Sequence, residues 1–286
     1  EMGLITFESK LADGTMTDAV EVIPGYVSSG STYMVQTNGI PAKNLGDALY
    51  FKVYAKLTDG SYVYSDVAGY NAVAYAKTVL GSSTSPKEAK ALMVAMLNYG
   101  TAAQAYFDYK TESLMNAGLT AQQQALVQAY DSSMVQDVVK ADASKVGPFV
   151  MKGGYTNIFP TVSFEGAFSI NFYFTPNQTV DEAPTLYYWD AETYNSATVL
   201  SPWNATGVLT MAQDGNNWGA AVEGIAAKAI DETIYVAGLY TSNGVSYPTG
   251  IIAYSLGNYC KTVAEKDNAF GAATAVYGYY AKEYFA

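Results

Sequence analysis

All three tryptophans of this 286-residue chain stand beside small, polar or acidic residues of the kind that make turns. Trp189 precedes Asp190, Trp203 lies in Ser201-Pro202-Trp203-Asn204, and Trp218 follows Asp214-Gly215-Asn216-Asn217. Turns rarely bury a large ring. A ring held beside Asn, Asp and Gly presents an apolar face to the C–H face of a sugar, while neighbouring amides and carboxylates hydrogen-bond its hydroxyls. Trp189, Trp203 and Trp218 are therefore candidate ligand contacts. Tyr187, Tyr194 and Asn204 stand near them, and Tyr26 and Tyr33 are aromatic candidates towards the N-terminus. A structural reading competes: Trp218 falls opposite Tyr33 when the chain is aligned with itself, as two strand residues filling a core would.

Other chemistries are more restricted. The chain has no histidine, which excludes Ser-His-Asp and Cys-His nucleophilic sites and His-ligated zinc or iron. Carboxylates are the remaining acid–base groups. Asp190 with Glu192, and Asp231 with Glu232, are close in sequence, but a glycosidase needs two carboxyls facing one bond at about 5 to 10 Å, which adjacency does not supply. Catalysis is not expected. No Asp-x-Asp-x-Asp-Gly loop marks a calcium site, and neither a metal nor a cofactor is expected. Cys260, the single cysteine, rules out an intrachain disulfide and aligns with Ala76 as a small packing residue. Lys43 and Lys228 share a Gly-Ile-x-Ala-Lys motif; they read first as charges on a strand edge, with donation to sugar hydroxyls as the alternative.

A net charge of −11 repels phosphate backbones and anionic membrane surfaces, so no nucleic acid partner is expected. No apolar run reaches the roughly 18 residues that would indicate a membrane span, so no insertion is expected. Twenty-six tyrosines suit a half-wet core or a stacking surface. Glu1-Met2-Gly3 has neither a basic n-region nor an apolar h-region, so the chain reads as a mature fragment or a piece of a longer protein.

The elements that must position these residues occur twice. Tyr70–Val79 aligns without a gap with Tyr254–Val263, Asn98–Phe107 with Val276–Phe285, and Gly39-Ile40-Pro41-Ala42-Lys43 with Gly224-Ile225-Ala226-Ala227-Lys228. A period this long points to a duplicated domain rather than a solenoid, whose repeats run about 20 to 50 residues.

Strands are expected at Leu4–Phe7, Tyr33–Val35 and Ala48–Ala55, with turns at Asp13-Gly14 and Pro24-Gly25. Asp59-Gly60 before Tyr62-Val63-Tyr64 is a hairpin signature. Helices are expected over 70–80 and 85–109, the second with Ser85 as cap and Pro86 in its first turn. Leu92, Met96, Tyr99, Ala103 and Tyr106 form one apolar stripe on it. A short helix opens at Thr120. Strands follow at Val162–Glu165, Phe168–Phe174, Thr185–Asp190, Val208–Met211, Ala220–Val222 and Ile234–Tyr240, before the closing helices. The expected class is α+β: a duplicated lobe, each copy a β-sandwich-like strand region followed by a pair of α-helices. The expected boundaries are lobe one at 1–110, a helical connector at 111–147 and lobe two at 148–286.

The segment Leu92–Phe107, Leu-Met-Val-Ala-Met-Leu-Asn-Tyr-Gly-Thr-Ala-Ala-Gln-Ala-Tyr-Phe, resembles a module of multidomain surface proteins from gut Firmicutes. With the duplication, the aromatic loops and the acidic, histidine-free composition, the chain resembles the starch adherence system proteins of amylosomes. The likeness is to a bilobed, non-catalytic starch-binding domain. That resemblance implies α-1,4-glucan, as starch or helical maltooligosaccharide, bound by aromatic stacking in a groove. It also implies a secreted protein at the bacterial cell surface, with attachment to other amylosome proteins through regions outside this chain. It carries over no binding residue. The alternative is a surface adhesin or protein-interaction module, in which Tyr-rich surfaces anchor a protein partner.

Overall fold

The computed structural model describes residues 2–7, 19–29, 32–35, 39–164 and 166–286, with the backbone alone at 19–21, 26–29 and 32–33. The turn expected at Asp13-Gly14, Glu165, and the side chains of Tyr26 and Tyr33 lie outside the described residues. The chain forms two compact units, Glu1–Val127 and Gln128–Ala286. The 111–147 stretch is divided between them. Helices and antiparallel sheets together make the chain α+β. Among the described residues no helix is long and apolar enough to cross a membrane.

The first unit contains β1 (Met2–Phe7), β2 (Ala19–Pro24), β3 (Tyr26–Ser29), β4 (Thr32–Met34), β5 (Leu49–Lys56), β6 (Tyr62–Tyr64) and β7 (Ala68–Tyr70). Its main sheet has the order β2-β1-β5-β6, with β7 also paired to β5, while β3 and β4 pair with each other. The β5–β6 hairpin turns at Asp59, whose carboxylate accepts the Ser61 amide at 2.9 Å and its hydroxyl at 2.7 Å. Two helices follow, α1 (Ala72–Gly81) and α2 (Lys87–Tyr106). Asn71 caps α1 by accepting the Ala74 amide at 2.7 Å, satisfying a backbone donor that the helix leaves unpaired.

The start of α2 differs from expectation. Pro86, not Ser85, occupies the cap position and makes no side-chain cap bond; an extended ψ suits a proline there, where a missing N–H costs nothing. Leu92, Met96, Tyr99 and Ala103 of the expected stripe are buried, but Tyr106 is 57% exposed at the helix end. Thr120 caps α3 (Ala121–Gln124) in a reciprocal capping box with Gln123.

The second unit contains β8 (Tyr155–Ser163), β9 (Phe168–Pro176), β10 (Thr185–Trp189), α4 (Ala191–Ser196), β11 (Gly207–Thr210), β12 (Ala212–Asp214) and β13 (Asn217–Ile225). It continues with β14 (Ile234–Ser242), β15 (Val245–Pro248), β16 (Ile252–Tyr254), α5 (Leu256–Ala264) and α6 (Ala269–Phe285). One sheet has the order β12-β13-β9-β8; the other has β11-β10-β14-β15, with β16 also on β14.

Strand β9 alternates from Ile170 onward. Phe168, Ile170, Phe172 and Phe174 are buried, each burial contributing about 1.5 to 3 kcal/mol. Asn171, Tyr173 and Thr175 point the other way and are half-buried. The sheets meet where the Phe174 ring lies against Gly238 of β14; a Cβ there would sit 2.9 Å from the ring. On the far side of β10 and β14, Trp189, Tyr235 and Ala237 gather with Phe149, Tyr194 and Leu200 in a second apolar cluster.

In both units a 3-10 turn packs against the last long helix. The turn Ala42–Asn44 lies against α2 and Ala227–Ala229 against α6. Close approach needs glycine. Gly100 of α2 sits against Met115, with its absent Cβ 3.4 Å from the Ala42 carbonyl, and Gly278 of α6 would put a Cβ 2.5 Å from Ile230.

Candidate functional site

The β9 strand end and the β12–β13 turn of the second unit enclose a cleft of about 450 Å³, lined by Thr175, Pro176, Gln178, Thr179, Val180, Gln213, Asn216 and Trp218. Its position follows from the sequence. Pro176-Asn177 ends β9, Gly215 at φ +58° turns β12 into β13, and the two turns stand side by side because Trp218 pairs with Phe174 across the β13–β9 ladder. Trp218 is half-buried, so its ring is held yet still reachable. No lining residue is charged. Gln178 and Asn216 have no hydrogen-bond partner among the described residues, while Gln213 donates to the Gly215 carbonyl at 3.2 Å. An indole with the uncommitted amides of Gln178 and Asn216 around it suits a neutral, polyhydroxylated ligand. The ring covers C–H surface, and the amides both donate and accept.

Trp203 is placed differently. It lies on the 3-10 turn Pro202–Asn204 and is 96% exposed. Large apolar side chains are rarely left so open. The turn beneath it is stiff because Asn204 bonds through both ends of its amide. Its Oδ1 accepts the Ser201 amide at 2.8 Å and Trp189 Nε1 at 3.0 Å, and its Nδ2 donates to the Val199 carbonyl at 2.9 Å. Asn204 is therefore the anchor of the turn. Trp203 precedes β11 and is not among the residues that line the cleft at Trp218.

Burial gives other candidates a structural part instead. Trp189 is 0% exposed, edge-on to Phe149 at 5.3 Å; with no free face it cannot stack on a ligand. Tyr194 is buried, parallel to Tyr235 with ring centres 3.5 Å apart, and its hydroxyl accepts the Asp142 amide at 2.6 Å. Tyr187 packs on Phe149 at 5.4 Å. These three hold the 141–149 segment on the sheet. Trp189 is the last residue of β10, within the expected strand, and Tyr194 lies on α4. Lys228 is not on a strand edge; it belongs to the 3-10 turn and lies 5.6 Å from the Phe285 ring, as Lys43 lies 5.0 Å from Phe107. The backbones of Tyr26 and Tyr33 lie in β3 and β4.

The carboxylates also have structural partners. Asp190 caps α4, accepting the Thr193 amide at 2.7 Å. Burial works against its charge, but the Thr193 and Thr206 hydrogen bonds keep its carboxyl below the ordinary range. Asp231 is buried, 3.5 Å from Lys282 Nζ, and burial pushes its pKa up despite that lysine. Cys260 is wholly buried, and burial pushes its thiol far up; a thiol held neutral is not a nucleophile. Among the described residues no three Cys, Asp or Glu gather as a metal would need.

The first unit has a larger cavity of about 600 Å³, whose lining includes Asp47, Asn71, Lys77, Gln104 and Lys110. Most of its polar groups are already used. Asp47 accepts Lys110 Nζ at 2.6 Å, Tyr109 Oη at 2.6 Å and Asn44 Nδ2 at 2.7 Å. Buried Gln104 donates to the Lys110 and Ser113 carbonyls at 3.2 and 3.1 Å and accepts the Met115 amide at 3.1 Å. These bonds tie down the 108–115 loop. The smaller cleft at Trp218 is the better candidate because the amides of Gln178 and Asn216 remain uncommitted.

Residue-type reasoning named Trp218 but not Gln178, Gln213, Asn216, Thr175 or Thr179. The signal was present in two amide-rich turns, at 176–179 and 213–217, yet their proximity depends on the β13–β9 register.

No protein-family model matches this chain, and no curated protein matches it. Among solved structures, the crystal structure of a Br derivative of BhCBM56 is similar to 36% of this chain and 99% of its own, at 12% identity and a TM-score of 0.25. A likeness that slight carries no argument about this chain.

Proposed function

We propose that this chain is a non-catalytic carbohydrate-binding module for starch, taking α-1,4-glucan chains against Trp218 in the second unit. The observation that carries the reading is the uncharged, amide-rich cleft around that ring. A neutral glycan loses nothing to the chain's acidity, whereas an anionic ligand would be repelled. Starch rather than another glycan rests on the resemblance of Leu92–Phe107 to the amylosome starch-binding module, as does secretion to a bacterial surface. The absence of catalysis is supported by the carboxylates, since Asp190 is taken up by a helix cap and Asp231 by burial beside Lys282.

A duplicated, sandwich-like lobe belongs to the same proposal. Gly39 and Gly224 share left-handed φ values of +75° and +76°. Asn71 and Ser255, aligned with one another, cap α1 and α5, and both Lys–Phe contacts recur.

Isothermal titration with maltoheptaose, soluble starch, cellulose and xylan tests the function. Saturable binding to the two α-glucans is expected; absence of binding to both removes the starch reading. Incubation with starch is expected to release no reducing sugar.

One observation favours a second reading, a protein-interaction module: the solitary, rigidly mounted Trp203. Tryptophan anchors are common at protein interfaces. Capture of a secreted protein that persists in maltoheptaose and disappears with Trp203→Ala would support it.

A further inference from the structure

The cleft at Trp218 has two walls of different origin. The β12–β13 hairpin supplies Gln213, Asn216 and Trp218, while the loop from β9 to β10 supplies Gln178, Thr179 and Val180. That loop is fixed at two points. At one end the Asn177 amide donates at 2.9 Å to the Gly154 carbonyl, which also accepts the buried Tyr240 hydroxyl at 2.8 Å. At the other end the Asp181 amide donates to the Thr241 carbonyl at 2.9 Å. The exposed Asp181 carboxylate then accepts two successive backbone donors, Asn243 N at 3.0 Å through Oδ1 and Gly244 N at 3.2 Å through Oδ2. Asn243 and Gly244 are the central residues of the β14–β15 turn, both left-handed at φ +48° and +75°. Two-residue hairpins favour such a turn, so the donors are held in place. Between the anchors, Gln178, Thr179 and Val180 form no hydrogen bond among the described residues.

We infer that Asp181 is a positioning residue for the cleft: its carboxylate latches the 177–181 loop to the β14–β15 turn and so fixes the side chains of Gln178 and Thr179 for the ligand. This deepens the carbohydrate reading and rests on it. Asp181 does not line the cleft; its charge is directed to the turn, and it acts through the loop. A short loop held at both ends loses little conformational freedom when a glycan bonds its side chains. Released at one end, the same loop must be ordered by the ligand, and affinity falls.

Maltoheptaose dissociation constants, measured by calorimetry on the full chain and four variants, test the latch. Asp181→Ala is expected to weaken binding on the order of fivefold, a part of what two hydrogen bonds to a charged acceptor supply. Asp181→Asn keeps one acceptor and is expected to recover part of the affinity. Gln178→Ala is expected to weaken binding too, and its loss to combine with that of Asp181→Ala less than additively, because the latch acts through that residue. A merely structural aspartate would lower the melting temperature and leave affinity unmoved. Circular dichroism checks that each variant folds, and Asp181→Asn carries the test alone should Asp181→Ala not fold. If the folded Asp181 variants bind maltoheptaose as the unaltered chain does, or if the two losses add in full, the latch is wrong and the cleft stands. If the unaltered chain binds no α-glucan, the carbohydrate reading fails and the latch with it.

Discussion

The corner between 3-10 turn and last helix and the turn around Trp218 have opposite chemistry. In both corners the groups satisfy one another: Lys43 rests over Phe107 and Lys228 over Phe285, and a glycine lets the helix approach the turn. Around Trp218, Gln178 and Asn216 have no partner among the described residues. Where the sequence recurs it builds packing, and where it departs from the repeat it leaves hydrogen-bonding capacity to solvent or a ligand. A repeated motif is therefore a poor guide to a site in this chain.

The contrast between packed and available aromatics can be broken most severely at the tryptophans. Trp189→Ala removes a fully buried ring and is expected to cost about 3 to 5 kcal/mol of the second unit's stability; half-buried Trp218→Ala is expected to cost about 1 kcal/mol or less. Denaturant titration followed by circular dichroism compares them. Equal losses would erase the distinction.

Gly100→Ala and Gly278→Ala probe the two corners in parallel. Each methyl would collide with a packed neighbour, and overpacking of this kind costs about 1 to 3 kcal/mol. Comparable losses are expected in the two units, and a loss in one unit alone would contradict the equivalence of the corners.

Asp231 sharpens the comparison further, since it stands where the first corner has Gly46. Burial raises its pKa, so the folded state favours the neutral acid. This group's contribution is then most favourable below the ordinary aspartate value and is lost as pH rises through the raised folded value. Asp231→Asn is expected to gain melting temperature relative to the unaltered chain as pH increases, with the difference vanishing in acid. A variant less stable at pH 7 than at pH 3, by comparison with the parent, would refute this.

The smallest effect belongs to Lys228→Ala. An exposed cation over a ring contributes about 0.5 to 1 kcal/mol, and glycan affinity is expected to be unchanged in titration. A fall in affinity would return Lys228 to the binding surface.

Much of the scaffold was legible in the sequence because it depends on local rules. Asp59-Gly60 marked the β5–β6 hairpin, Thr120 marked its helix, and the alternation of Phe168 to Phe174 marked a strand with one buried face. Position in the fold was harder to read. Trp189-Asp190 has the same turn-like flank as Trp203-Asn204, yet Trp189 ends a strand whose far face is covered by Phe149 from 40 residues earlier in the chain. The cleft needed the register that puts Trp218 opposite Phe174.

The most direct test of the central claim is a tryptophan fluorescence titration with maltoheptaose on the unaltered chain, Trp218→Ala and Trp203→Ala. The account predicts a saturable change in the unaltered chain, retained in Trp203→Ala and lost in Trp218→Ala, with calorimetry confirming that binding itself is weakened. Full-strength binding by a folded Trp218→Ala variant would contradict it.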